Sequence, residues 1–408
     1  MLCVSNEKLV KYLAITLTIM VCITRISMAA GEIMLGISVL IGLVLFYKER
    51  NEIKLSNEIK GYCVAALVLF LCTVPSVILG ENPVNSIREF LNMWIWRFSV
   101  FILIVFFIKK RLYLVNMLYT FLVVFGVDCL TSLYQVVTHM TDRGWGFGSN
   151  MLAIAGIMCM VFPIVLVILC DKNFDRKLKY AAVFTLTCVV IGLLSNKSRG
   201  AWLTCFVVGP VAAWKYIIQH VKYILAFVLV IGVVTGFFMS QPTYSSRLLS
   251  VTNMTTNTSN THRLLLWRSC IDMYVDHPVG GIGLGNFKKI YETRYRYPDE
   301  TEHLSHAHNN FMHLLAETGT FGAVGYIGFV LYFLFTSFKN WRRYQDPYDI
   351  LIFTTVLSFM GLFGQIEYII DNSSAVRIFW FLLAVLLQMK QSDKKVVDSS
   401  YGIDYLKK

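Results

Sequence analysis

The chain of 408 residues contains about twelve apolar runs. Each run is near the length of about 20 residues that an α-helix needs to cross the hydrocarbon core of a bilayer. The runs lie at 10–25, 28–47, 61–79, 92–108, 112–136, 150–170, 180–195, 201–219, 223–239, 319–338, 350–367 and 376–390. The pattern predicts an all-α polytopic membrane protein with about twelve transmembrane helices.

The composition agrees with this class. Hydrophobic residues make up 56% of the chain and charged residues only 15%, whereas a soluble domain carries about 25% charged residues. The net charge of +12 could indicate a nucleic-acid partner. The basic residues lie in short clusters between apolar runs, however, so we expect membrane topology to explain them and no nucleic acid to bind.

The distribution of lysine and arginine predicts the orientation. Twelve spans place both termini on one side, and basic residues concentrate in the connections on that side, such as 48–60 and 171–179. Cytoplasmic connections are the ones enriched in lysine and arginine. We therefore expect both termini in the cytoplasm.

The one long connection, 240–318, then lies on the outer face. It contains a helical pattern over 263–278, with Thr261 as the predicted N-cap, and this much internal pattern indicates a subdomain rather than a linker. The predicted division is 1–239 for helices 1–9, 240–318 for the outer subdomain, 319–390 for helices 10–12, and 391–408 for a cytoplasmic tail.

The segment GGIGLGNF at 280–287 resembles a nucleotide-binding loop only superficially. It lacks the GxGxxG spacing and the GK[ST] ending that hold phosphates in known loops. A tight glycine turn is the simpler interpretation, although its backbone N–H groups could still contact a phosphate.

Three histidines lie close together in LSHAHNNFMHLLAET at 304–318. A metal site, ordinary interfacial histidines and proton transfer are all open interpretations, because imidazole is both a zinc ligand and the usual general base. Glu317 fits best as a helical i+4 partner of His313. No set of divalent-ion ligands is recognisable in the outer segments, so no metal site is predicted.

Arginines are scarce in the outer connections. Arg199 sits between two spans with almost no loop, where a charge is costly, so it is either a functional residue or an anchor to lipid headgroups. Arg263 and Arg268 open the loop helix and could pair with Asp272 or Asp276. The three arginines could together form a cationic site for a phosphate or diphosphate.

Three motifs taken together resemble the O-antigen ligase family: SRGAWL, then R-x3-W-x9-HPVGGIGLGNF, then HAHNNFMHLLAETGTFG. The family belongs to a wider group of membrane glycosyltransferases with Wzy-type polymerases and protein O-oligosaccharyltransferases. The resemblance is strongest over about 195–330.

The resemblance implies a metal-independent, inverting transfer at the periplasmic face of the bacterial inner membrane, without a cofactor. The implied donor is a glycan on undecaprenyl diphosphate and the acceptor is a sugar of the lipid A-core oligosaccharide; membrane lipids surround both.

The motifs also carry residue roles. The motif arginines correspond to Arg199 and Arg263, which would bind the diphosphate. The motif histidine corresponds to His308, the expected general base. Residues implied to contact substrate are Arg268, Asn309 and a late acidic residue, either Asp371 or Glu367.

A cluster of four cations favours a ligase over a polymerase. The cluster would bind the phosphorylated, anionic lipid A-core, and it comprises Lys288, Lys289, Arg294 and Arg296. A polymerase has less use for such a cluster, because its acceptor is another lipid-linked repeat. A transporter or flippase is the remaining alternative. It fits poorly because no repeat is apparent and the polar cluster lies in one outer connection; Asp128, an acid inside a predicted span, is the main exception.

Overall fold

The computed structural model describes residues 5–50, 53–218, 258–300 and 303–400, together with residues 236 and 240. Helices account for 81% of the structure and the described parts contain no strand, which confirms the all-α prediction. The helices are α1 (Asn6–Ile23), α2 (Met28–Glu49), α3 (Asn57–Leu79), α4 (Pro83–Phe107), α5 (Arg111–Val137), α6 (Met151–Cys170), α7 (Arg176–Asn196), α8 (Arg199–Ile218), α9 (Thr258–Asp276), α10 (Phe287–Ile290), α11 (Asn310–Tyr344), α12 (Pro347–Gln365) and α13 (Ser373–Ser400).

Within the described ranges, ten helices are long and apolar enough to cross a membrane. The first predicted span forms α1, which is not one of the ten because Glu7, Lys8 and Lys11 interrupt its first turns. The predicted span 223–239 lies outside the described residues. The multi-pass character is supported, whereas the count of twelve and the placement of the long connection stay predictions.

Polar caps mark where several apolar runs become helices. Ser27 Oγ accepts from the N–H of Ala30 at 3.3 Å, and Asn150 Oδ1 accepts from the N–H groups of Leu152 and Ala153 at 2.9 and 3.0 Å. The first turn of a helix has N–H groups without intrahelical partners, and such side chains satisfy them. These caps start α2 and α6 within one residue of the predicted runs.

The bundle is built around α13. Of its apolar window 94% is buried, whereas only 28% of the corresponding window of α2 is buried. Leu40 and Leu43 on α2 are 64% and 59% exposed. An apolar surface of this kind suits a lipid environment, in which hydrocarbon rather than water covers the periphery of the bundle.

Gly319 divides α11 into two parts. Its φ of +62° is outside the helical region, so Asn310–Thr318 and the longer part after Gly319 run in different directions. The predicted tenth span, 319–338, begins at this break. The glycines of the second part of α11 differ in their packing: a Cβ on Gly325 would lie 2.6 Å from Cys72 Cβ on α3, but nothing lies within 4 Å of one on Gly328.

Asp128, the acid inside a predicted span, is neutralised by an arginine. Arg25 Nε lies 3.0 Å from Asp128 Oδ2, and both side chains are buried. Arg25 also donates to the carbonyl of Trp145 at 2.7 Å, and Asp128 accepts from the N–H of Phe147 at 2.6 Å. The pair therefore holds the connection between α5 and α6 in place. This structural role accounts for Asp128 without a transport function.

A second buried charge cluster ties helices together at the opposite end of the bundle. Lys390 Nζ on α13 lies 2.5 Å from both Glu58 Oε1 and Asp349 Oδ1. The side chains of Lys390 and Asp349 are fully buried. A buried ammonium is tolerated here because two carboxylates surround it.

The segment between α8 and α11 has a small core of its own. Its buried residues are Leu266, Cys270, Met273, Ile282, Phe287, Ile290, Tyr291, Ala307 and Ala316. This core fits the predicted outer subdomain, although its exact boundaries stay a prediction. The loop helix begins at Thr258, so the predicted cap Thr261 lies inside α9 and that prediction is wrong.

Candidate active site

Two consecutive residues of the histidine stretch contact the chain just after α12. His308 Nδ1 lies 2.8 Å from Glu367 Oε2, and the two side chains are 20% and 4% exposed. Asn309 Nδ2 donates to the carbonyl of Gln365 at 2.9 Å. The family resemblance implied a late acidic residue without deciding between Asp371 and Glu367; the structure brings Glu367 to His308.

Asn310, which follows His308 and Asn309, holds the same connection after α12. Asn310 Oδ1 accepts from the N–H of Ile369 at 2.9 Å, and its Nδ2 donates to the hydroxyl of Tyr326 at 3.2 Å. Asn310 is fully buried, and a Cβ on Gly364 would lie 2.2 Å from its Nδ2. Asn309 and Asn310 therefore hold the connection 366–372, which carries Glu367, against the start of α11.

The backbone at His308 is strained. Its φ of +49° lies in the left-handed region, which costs a residue with a Cβ roughly 1–2 kcal/mol. The next residue, Asn309, caps α11 by accepting from the N–H of Met312 at 3.0 Å. The contacts of Asn309 and Asn310, which directly follow His308, hold it in this conformation, in which its ring contacts Glu367.

His306 is the second imidazole at Glu367. Its Nδ1 lies 3.6 Å from Glu367 Oε1, and the ring centroids of His306 and His308 are 4.3 Å apart. Burial lowers the pKa of His306 from 6.5 to about 4, against the opposing attraction of Glu367. His306 is therefore neutral at neutral pH.

His313, the third imidazole of the stretch, contacts residues next to the site. Its Nε2 lies 3.4 Å from Glu317 Oε2, which confirms the predicted i+4 pair. Its Nδ1 accepts from the N–H of Ala307 at 3.2 Å, and its ring stacks on Tyr368 with centroids 3.6 Å apart. His313 is buried and fully engaged, so its role is to position residues 307 and 368.

The glycine segment packs against the short first part of α11. Ile282 N and Gly283 N donate to the carbonyls of Ala316 and Glu317 at 3.0 and 2.9 Å. Gly283 has a φ of +93°, so the turn depends on glycine. The glycine-turn interpretation is confirmed, and these two N–H groups are already bonded within the protein rather than presented to a phosphate.

The two motif arginines approach the site from separate helices. Arg263, in α9, is half-buried and forms no hydrogen bond to another described residue. Burial lowers the pKa of its guanidinium, while the charge of Glu367 acts in the opposite direction. Arg199 is the first residue of α8, and a Cβ on the next residue, Gly200, would lie 2.8 Å from Ile366 Cγ2. Both arginines thus lie near the segment that carries Glu367.

Arg268 does not pair with the acids of its own helix as the sequence suggested. Its guanidinium lies over the ring of Tyr297, 4.7 Å from the centroid. Asp272 accepts instead from the hydroxyl of Tyr297, and Asp276 accepts from Tyr295 at 2.7 Å. The tyrosines of this segment therefore brace α9, and Arg268 remains exposed beside them.

The four cations predicted to meet the acceptor are not equivalent. The cluster comprises Lys288, Lys289, Arg294 and Arg296. Arg294 makes a two-pronged contact with Glu81 at 2.5 and 3.2 Å, and Arg296 donates to the carbonyl of Glu300 at 2.8 Å. The two lysines are exposed and have no ion-pair partner in the ranges described above. Within the described ranges, Arg294 is thus paired with a carboxylate and Arg296 with a backbone carbonyl, and the two lysines are the exposed cations of the cluster without an ion-pair partner.

Asp371 faces an arginine that the sequence analysis did not single out. Arg97, fully buried in α4, donates to the carbonyls of Ile370 and Asp371 at 2.8 and 2.9 Å. Its Nη2 lies 3.7 Å from Asp371 Oδ1, whose side chain is 59% exposed. Arg97 is therefore a positioning residue for the connection 366–372, and Asp371 is its partner.

Three potential metal ligands converge at the centre. One nitrogen each of His306 and His308 and one oxygen of Glu367 lie within 4.8 Å of one another. The sequence did not reveal this set of residues. The reason is that Glu367 comes from a connection between later helices and is not apparent beside the histidines in the sequence.

The fold and the site define a polytopic membrane protein with a histidine–carboxylate pair at one end of its bundle, beside two arginines. Residues 181–327 match a family model described as O-Antigen ligase. The resemblance to the O-antigen ligase family is thereby confirmed over these residues, which include Arg199, Arg263 and His308. Members of this family are glycosyltransferase-like ligases and polymerases. A search of curated proteins found no match.

Proposed function

We propose that the protein is an O-antigen ligase, which transfers a glycan from undecaprenyl diphosphate to a sugar hydroxyl of lipid A-core at the periplasmic face of the inner membrane. The observation that carries the proposal is the contact of His308 with Glu367. His308 lies within the residues that match the family model. It supplies a base where an acceptor hydroxyl must lose its proton.

The pair determines which nitrogen of His308 is the base. An ionised carboxylate only accepts hydrogen bonds, so Nδ1 carries the hydrogen that points at Glu367. The lone pair of the neutral ring is then on Nε2, which takes the proton of the acceptor hydroxyl. Glu367 stabilises the positive charge that the imidazole gains.

The acceptor oxygen attacks the anomeric carbon as the bond to the diphosphate oxygen breaks. The electron pair of that bond leaves with the lipid diphosphate, and attack from the opposite face inverts the anomeric centre. Negative charge develops on the leaving group, where Arg263 and Arg199 would stabilise it. Arg263 suits this role because its guanidinium is half-buried without a hydrogen bond to another described residue.

Two guanidinium groups can bind a diphosphate through several parallel N–H groups, so the proposed transfer needs no metal ion or cofactor. Two further residues have a positioning role: Asn309 and Arg97 hold the connection that carries Glu367.

A polymerase is the second candidate, and one observation favours it. Arg294 and Arg296 have partners within the protein, so the cationic surface available to an anionic core is smaller than the sequence suggested. A polymerase would use a second lipid-linked repeat as its acceptor.

The deciding experiment uses purified protein, lipid-linked glycan and either rough lipopolysaccharide or further lipid-linked repeats as acceptor. Glycosylated lipopolysaccharide supports the ligase, and elongated lipid-linked glycan supports the polymerase. Transfer to neither acceptor, by folded protein supplied with its donor, contradicts both.

A further inference from the structure

The arrangement of His306, His308 and Glu367 resembles the ligand set of a metal centre. His308 Nδ1 lies 2.8 Å from Glu367 Oε2, and His306 Nδ1 lies 3.6 Å from Glu367 Oε1. Zinc binds nitrogen and oxygen at about 2.0–2.2 Å, so the ligand atoms of a tetrahedral site are about 3.3–3.5 Å apart. The two separations, each to a different oxygen of Glu367, lie on either side of this value. One ligand atom from each of the three residues lies within 4.8 Å of the others, so side-chain rotations would bring one atom of each residue onto one ion.

Hydrogen bonds within the protein hold together the two connections that carry these side chains. Asn309 Nδ2 donates to the carbonyl of Gln365, and Asn310 Oδ1 accepts from the N–H of Ile369, both at 2.9 Å. These bonds fix the connection before α11 relative to the connection after α12. A site built in advance loses little conformational freedom when an ion binds. Three protein ligands also leave the fourth tetrahedral position open for water.

The chemistry of the ligands selects the ion. Two imidazole nitrogens and one carboxylate suit zinc, cobalt, nickel and copper, whereas magnesium and calcium prefer oxygen ligands throughout. His303 offers a contrast within the same loop. Its side chain is 72% exposed and lies near Glu292 and Arg296 instead of Glu367.

We propose that His306, His308 and Glu367 form a binding site for Zn²⁺, and that the bound ion inhibits glycan transfer. The inhibitory half rests on the proposed function of His308 as the base. A neutral imidazole has one lone pair, and when Nδ1 gives it to zinc the ring hydrogen must reside on Nε2. Nε2 then has no lone pair for the acceptor proton, and Glu367 is bound to the ion.

The binding half is tested without substrate. Full-length protein, purified with its affinity tag removed, is titrated with Co²⁺, whose visible absorption is intense in four-coordinate sites, and Zn²⁺ is then added in competition. We expect one equivalent of Co²⁺ to bind and to be displaced by Zn²⁺, with affinity at least about tenfold weaker in His306→Ala. His303→Ala is the matched control and should bind like the wild type. No binding at micromolar Co²⁺, or equal affinity in His306→Ala, overturns the site.

The inhibitory half is tested by transfer assays in buffered Zn²⁺. Wild type and His303→Ala should lose activity at the same Zn²⁺ concentration and regain it with EDTA. His306→Ala, at its own lower basal rate, should require at least about tenfold more Zn²⁺. Active wild type that Zn²⁺ does not inhibit, or that EDTA inactivates and Zn²⁺ restores, overturns inhibition. Protein that binds one Co²⁺ but transfers nothing to either acceptor contradicts the proposed function and not the metal site.

Discussion

His308 Nδ1 lies 2.8 Å from Glu367 Oε2, although the two residues are 59 positions apart in the chain. The contact joins the connection before α11 to the connection after α12. Since Glu367 is 3% exposed, its charge acts on His308 with little screening by water. The contact fixes the orientation of the ring and determines which nitrogen is free for chemistry.

Replacement of His308 by alanine should abolish transfer, because a positioned general base contributes roughly 10²- to 10⁴-fold to the rate. His306→Ala and His313→Ala should retain part of the activity. His313→Ala should also lower the yield of folded protein, since His313 is buried and bonded to Ala307. Lipopolysaccharide ladders in a ligase-null strain, normalised to protein level, measure all three. Full ladders from His308→Ala would refute the assignment of the base.

Glu367→Gln should reduce transfer at least about tenfold while the protein still folds. The amide of glutamine can donate to Nδ1, which moves the ring hydrogen to Nε2 and removes the base. Asp371→Asn is the matched control, because Asp371 faces Arg97 and is largely exposed; we expect a change of less than about threefold, as for a surface residue. Initial rates at saturating acceptor distinguish the two. A greater loss in Asp371→Asn would assign the late acidic residue of the family to Asp371.

Arg199→Lys and Arg263→Lys should each lose about tenfold or more in activity although the charge is kept. A lysine is a point cation and cannot grip diphosphate oxygens with two parallel N–H groups. Arg268→Lys is the control, since Arg268 is exposed over Tyr297. Rates measured at matched protein amounts provide the test. If either of the first two variants turns over normally, charge alone suffices at that position.

Removal of divalent ions should leave transfer intact. Purified protein in excess EDTA should keep most of its activity, or gain activity if trace Zn²⁺ was bound. A complete loss that Mg²⁺ or Mn²⁺ restores would show that the diphosphate needs a metal ion, and the two arginines would then be insufficient.

Neutralising Lys288 and Lys289 together should weaken the use of lipopolysaccharide as acceptor more than the use of the donor. These lysines are exposed without ion-pair partners in the described parts of the chain, so they are free to meet core phosphates. Arg294→Ala serves as the control, because Arg294 is engaged by Glu81. Kinetics in which each substrate is varied separately give the answer. An unchanged apparent affinity for rough lipopolysaccharide favours the polymerase.

The sequence predicted features that depend on local pattern. Predicted spans at 112–136 and 150–170 match Arg111–Val137 and Met151–Cys170 within a residue, because the length of an apolar run directly reflects the thickness of the bilayer. The pair of His313 with Glu317 was equally accessible, since residues four apart lie on one face of a helix.

Contacts between distant connections were not accessible in this way. Glu367 and Asp371 lie four residues apart, and only the packing of α12 against α11 decides which one faces His308. Arg97 lies in an apolar run, and the carbonyl of Ile370 that it binds is 273 positions away. The predicted span 319–338 begins at Gly319, but the short helix before it was not predicted, because glycine is common in membrane helices and does not by itself mark a break.

The location of Glu367 also determines when the site can exist during synthesis. The matched domain ends at residue 327, so a ribosome has completed all of it before the carboxylate is made. A nascent chain that already exposes His308 lacks its partner until α12 and the connection after it are in place. Under the proposed mechanism, activity therefore requires insertion of the last helices, and we expect a chain cut short before residue 367 to be inactive even though every histidine and arginine of the site is present.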